Sequence, residues 1–192
     1  NMSFVSVIAR EDFITVVSDG QVSRGNMVVQ SDYKKFTKIS DKQFIAFTGT
    51  KEFCEGLVNE IEFNRNGLHN LYNIVENLDK NIRTIPYQSY VVMFAVGGVG
   101  ESGNIEFHTI NNNPSESIRS FSPKGDGLSY AFLHNGDLSS KINLQSKLIE
   151  YIGRIGFNTP NKCIRAQKLL NSDVAKIDDT VNNVTFDLTI KK

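Results

Sequence analysis

The chain has no tryptophan, and its 192 residues include only two cysteines, four prolines and three histidines. Cys54 and Cys163 both fall on apolar faces of predicted helices, the expected place for two reduced core thiols. His69, His108 and His134 show no ligand spacing, so no metal site is expected from them. Neither sign of charge is in excess: 21 basic and 21 acidic residues cancel, and no basic stripe is present. Nucleic acid is therefore not an expected partner. No apolar run approaches the roughly 18 residues of a membrane span, so no membrane partner is expected either. The N-terminus alternates like a strand and lacks a basic leader, so the expected compartment is cytoplasmic. An Asn before Met2 reads as the remnant of an expression tag. No Pro- or Ser-rich linker and no internal repeat divides the chain. Residues 1–192 are expected to form one domain, long enough to bury roughly 70% of the unfolded surface.

What is present is strand and helix periodicity in blocks. Residues 3–9 and 13–19 are β-branched apolar runs around Arg10-Glu11-Asp12, a predicted hairpin. Residues 34–39 and 43–48 form a second hairpin, and a polar segment with Gly25 and Asn26 lies between the two. Thr50 is a candidate cap for a helix carrying Phe53, Cys54, Leu57, Val58 and Ile61, which Asn66-Gly67 ends. A second helix carries Leu68 to Ile82. Residues 88–96 read as a buried strand, Gly97-Gly98 and Gly100–Gly103 as its turn, and 104–110 as its partner. Short strands follow near 117–121 and 128–134. Two further helices run over 138–155 and from Pro160 to Ile177, and 184–190 is the last strand. Helix pairs kept apart from runs of strands predict an α+β fold: a four-layer αββα sandwich of two stacked antiparallel sheets.

Four residues in the first fifty could carry chemistry. Ser3 becomes an N-terminal residue if Met2 is removed, which places its hydroxyl beside its own α-amine. That amine has an unperturbed pKa of roughly 7.7–8.0, near that of a useful general base. Asp19, Lys35 and Gly49 follow at separations of 16, 16 and 14 positions. Taken singly, each has an ordinary reading: a turn acid, a solvated lysine pair and a strand-to-helix junction.

Together, in the stretch VSDGQVSRGNMVVQSDYKKFTKISDKQFIAFTGTKEFCEGL (17–57), they resemble the N-terminal-nucleophile hydrolases, nearest to proteasome β subunits and the HslV-type bacterial peptidase. The resemblance implies Ser3 as nucleophile, where the family usually has threonine. It makes Asp19 the buried acid, Lys35 the polarising lysine and Gly49 the oxyanion donor. It also implies Asp178 as an acid assisting the N-terminal residue. The hydroxyl that accompanies this acid falls on Val181 or is supplied by Thr180, and Asn135 replaces another serine. Phe47 is implied to line the pocket for the residue before the cut bond, with a plain core role as the alternative. A shift of FVSV by one residue would instead put Met2 at the nucleophile position. No cofactor is implied. The expected partners are a peptide or amide substrate, further copies of the chain in a homo-oligomeric ring, and an ATP-dependent unfoldase. A bacterial origin is expected as well. The alternatives are a non-catalytic proteasome-like scaffold or a small-molecule amidase.

Overall fold

A computed structural model describes residues 3–192. Asn1 and Met2, on which the tag and trimming expectations fall, lie outside the described residues. In chain order the elements are β1 (Phe4–Ala9), β2 (Phe13–Asp19), β3 (Val22–Arg24), β4 (Met27–Gln30), β5 (Phe36–Ser40), β6 (Gln43–Thr48), α1 (Lys51–Val58) and α2 (Leu71–Ile82). Then come β7 (Met93–Val99), β8 (Ile105–Asn111), β9 (Arg119–Phe121), β10 (Ser129–His134), α3 (Leu144–Ile155), α4 (Pro160–Ile177) and β11 (Thr185–Lys191).

The strands build a four-stranded sheet, β10-β1-β2-β11, a five-stranded sheet, β5-β6-β7-β8-β9, and the separate hairpin β3-β4. Every strand pairing in them is antiparallel. Alternation along the strands then assigns the layers. Val5, Val7, Ile14 and Val16 face Phe44, Ala46, Ala95 and Phe107 between the sheets. Phe4, Ile8 and Phe13 point the other way, onto Leu148, Ile152, Leu170 and Val174 of α3 and α4. Ile45, Phe47, Phe94 and Val96 pack beneath Cys54, Val75, Leu78 and Ile82 of α1 and α2. Helix pair, sheet, sheet and helix pair stack as the αββα sandwich expected. Gln167 of α4 fixes one helix layer, donating from Nε2 to Ser6 O at 3.0 Å and accepting from Thr15 Oγ1 at 2.8 Å.

Four local expectations are corrected. Gly97 and Gly98 belong to β7, not to the turn after it. A side chain at Gly97 would meet the Phe107 Cβ at 2.6 Å, so glycine permits the close sheet contact. The turn itself sits at Gly100–Gly103, closed by Gly103 N donating to Gly100 O. The segment around Gly25 and Asn26 is a hairpin, β3-β4, with Met27, Val28 and Val29 exposed. Helix 138–155 is broken: a single 3-10 turn covers Leu138–Ser140, and α3 starts afresh after Asn143, whose side chain accepts from Ser146 N. α1 ends at Val58, and Thr50 occupies its N-cap position without a side-chain cap bond.

Candidate active site

The site assembles where the ends of β2 and β6, the approach to β5, and the segment between α4 and β11 converge. Asp19 is the last residue of β2, and Lys35 directly precedes β5. Both side chains are fully buried, and they form an ion pair. Lys35 Nζ donates to Asp19 Oδ1 and, at 3.2 Å, to the Asp19 carbonyl. The other carboxylate oxygen, Oδ2, accepts from Gln21 N at 3.1 Å and Asn182 N at 3.2 Å. A buried pair needs this degree of satisfaction, because desolvation opposes both charges. Burial pushes the Asp19 carboxyl up, against the pull of Lys35 and the two N–H donors. Burial likewise pulls the Lys35 ammonium down, against the Asp19 charge.

Gly49 follows β6 with φ +123°, a region that side-chain-bearing residues avoid. A Cβ there would lie 2.7 Å from Val91 O. The backbone of the strand-to-helix junction is thereby held against residues 91–92. Directly beyond it, Val22, Ser23, Thr50, Glu52 and Tyr90 line a cleft of about 200 Å³. The exposed Arg24–Glu52 ion pair joins the cleft's hairpin wall to α1.

Ser3 lies immediately before β1, and its side chain is buried. Its Oγ donates to Thr180 O at 2.5 Å. Asp178 Oδ1 accepts from both Thr180 N at 2.9 Å and Thr180 Oγ1 at 2.6 Å. Asn135 Nδ2 donates to the same Thr180 hydroxyl at 3.0 Å. Thr180, not Val181, therefore supplies the hydroxyl beside Asp178, while Val181 is buried in the helix-side core. Two residues on, Asn182 completes the frame. Besides its bond to Asp19, it accepts from Gly20 N at 3.0 Å and donates from Nδ2 to Ser31 O at 3.0 Å.

The structure thus joins Asp19 to Lys35 directly. Ser3 and Asp178 are joined through Thr180, and these two groups through residues 178–182. Phe47 stands apart, buried between Tyr33 and Phe94 with ring centroids at 6.5 and 6.3 Å. It lines neither the small cleft nor the larger groove beside β10.

Sequence reading missed Asn182 and Gln21 as holders of the buried acid: Asn182 lies 163 positions from Asp19, and Gln21, two positions away, holds it through a backbone N–H that no residue type announces. It also missed two buried hydroxyls with no hydrogen-bond partner, Ser18 Oγ and Thr48 Oγ1. They sit one residue before Asp19 and Gly49, where unsatisfied polar groups are otherwise rare. Among the described residues no group of His, Cys, Asp and Glu is arranged to hold a metal ion, and no helix is long and apolar enough to cross a membrane.

Comparison with known proteins agrees with the fold. The crystal structure of eukaryotic HslV from Trypanosoma brucei matches over 99% of this chain and 100% of that one, with a TM-score of 0.64 at 17% identity. At that identity the likeness speaks for the fold alone. No curated protein sequence matches the chain. The family model described as "Proteasome subunit" matches residues 5–111, more than half of the chain and the part that contains Asp19, Lys35 and Gly49. The chain therefore belongs to the proteasome subunit family of N-terminal-nucleophile hydrolases.

Proposed function

We propose that the protein is a proteasome-type peptidase whose nucleophile is Ser3, exposed as the N-terminal residue once the two residues before it are removed. The observation that carries this reading is the buried, hydrogen-bonded Asp19–Lys35 pair, joined through residues 178–182 to the segment that holds Ser3. In the reaction, Ser3 Oγ attacks the substrate carbonyl while its proton passes to the Ser3 α-amine. A charged Lys35 near that amine keeps it unprotonated at neutral pH. The Gly49 N–H donates to the developing oxyanion, a contribution typically of about 2.7–4 kcal/mol. The amine then gives its proton to the departing amine, leaving an acyl-serine that water hydrolyses by the same steps. The protein works as a homo-oligomer in the cytoplasm, and an ATP-dependent unfoldase feeds it extended chains.

A second reading is a non-catalytic scaffold. It is favoured by the complete burial of Ser3 and by the donation of its hydroxyl to Thr180 O. The two readings separate in protein that N-terminal sequencing shows to begin at Ser3. The peptidase reading expects turnover of fluorogenic peptides that disappears in Ser3→Ala and Lys35→Ala variants of unchanged circular dichroism. Protein beginning at Ser3 with neither turnover nor a covalent adduct after a hydroxyl-reactive inhibitor supports the scaffold.

A further inference from the structure

A groove of about 800 Å³ runs along β10. Ser129, Tyr130, Ala131 and Phe132 line it one after another. Yet these residues alternate between faces: Tyr130 and Phe132 pack toward the helices, and Ala131 toward the other sheet. A hollow that touches residues of both faces lies against the edge of a strand, not over one face. β10 is the outermost strand of its sheet, so that edge presents main-chain donors and acceptors. Arg119 and Phe121 of β9, and the start of α3, form the other walls.

One end of this groove meets the candidate site. Val91, His134 and Gly136 line it there. The Val91 carbonyl is the group packed against Gly49, and its side chain packs against Gly136. His134 is the register partner of Phe4, which brings Ser3 to the same end. The small cleft at Thr50 reaches Tyr90, the residue before Val91, so the two hollows come to adjacent residues beside the Gly49 junction.

We propose that the groove beside β10 binds the leaving-group side of a polypeptide substrate, which adds to the β10 edge as an extra strand. This rests on the peptidase reading, since a small amide would leave the groove unused. The six residues of β10 offer about 20 Å of edge at 3.3–3.4 Å per residue. Main-chain bonds supply affinity in such additions, and alternate side chains supply selectivity.

The test uses a Ser3→Ala protein and a fluorescein-labelled heptapeptide of alternating valine and serine, followed by anisotropy. Two further heptapeptides carry N-methyl groups, each on one alternate set of residues. The expected result is saturable binding that weakens at least tenfold for one methylated peptide and for Ala131→Arg. A benzophenone version of the peptide should cross-link to β10 or α3. Equal binding of all three peptides, no binding, or cross-links confined to residues 22–52 would overturn the proposal. So would an assembly that Ala131→Arg dissociates while the wild type binds no peptide, because a second copy then occupies the edge. Turnover of a peptidyl aminocoumarin without groove binding sinks this inference and spares the peptidase reading. Absence of both sinks both.

Discussion

Replacing Asp19 with Asn leaves the Lys35 ammonium fully buried, with the residue-19 carbonyl at 3.2 Å as its remaining backbone acceptor. Replacing Lys35 with Met leaves the Asp19 carboxylate with two N–H donors, from Gln21 and Asn182. Removing one member of a buried pair costs about 3–5 kcal/mol. At this chain length 1 kcal/mol moves Tm by roughly 2–4 °C, so losses of roughly 6–20 °C are expected. The Asp19→Asn loss should be the larger at pH 7, because the new amide NH2 must face either the Lys35 ammonium or the N–H donors of Gln21 and Asn182. The pH dependence should have opposite signs. In Asp19→Asn, a Lys35 pKa already below 10.5 loses its upward influence, so the folded state binds fewer protons than the unfolded one. Stability then rises with pH up to the unfolded lysine value of about 10.4. In Lys35→Met, an Asp19 pKa already above 3.8 loses its main downward influence, so the folded state binds more protons. Stability then falls as pH rises from the unfolded value of about 3.9 through the raised folded value. Thermal unfolding by circular dichroism at one fixed protein concentration, from pH 4 to 10, measures both slopes. Two variants within about 1 kcal/mol of wild type at pH 7, or slopes of the same sign, would refute this account of the pair.

Three further outcomes are expected. Gly49→Ala forces a Cβ to within 2.7 Å of Val91 O at φ +123°, so urea unfolding should show a loss of more than about 1 kcal/mol. Burial raises the thiols of Cys54 to about 12 and Cys163 to about 11, so neither should react with a disulfide reagent at pH 8 until the protein is denatured. The folded state holds those protons longer than the unfolded state does. Stability should therefore fall above the unfolded thiol value of about 8.5, by about 1.4 kcal/mol per pH unit for each thiol. Rapid native labelling of either cysteine would contradict that burial.

The layers were legible because they follow from periodicity alone. Val5, Val7 and Ala9 alternate with Phe4, Ser6 and Ile8, which fixes a strand with two different neighbours. The Asp19–Lys35 contact was legible only through the family resemblance. Local patterning treats Lys34 and Lys35 alike, whereas the fold exposes one and buries the other. The glycines at 97 and 98 read as a turn because glycine breaks strands in isolation. Gly97 is required by the Phe107 side chain on the neighbouring strand, and Gly98, at φ +127°, by the Lys42 carbonyl, contacts that local sequence does not encode. Thr180 was ambiguous and Asn182 was missed for a related reason. Their roles depend on Ser3 and Asp19, more than 160 residues earlier, which meet them only after both sheets have formed.

The energetic character of the pair argues for its purpose. A buried ion pair gives little net stability, and well-packed apolar residues of similar volume are often neutral or better. The inter-sheet core is otherwise built from valine, isoleucine, leucine, alanine and phenylalanine, which carry no such cost. Asp19 and Lys35 are instead supported by four hydrogen bonds, two of them from backbone groups at residues 21 and 182. Such support holds the two charges in one geometry, with the Asp19 carboxylate opposing the loss of the lysine proton that burial favours. Core packing has no use for a fixed charge. A site that must keep a neighbouring amine unprotonated uses one, and for that reason the pair, more than Ser3 itself, carries the case for catalysis.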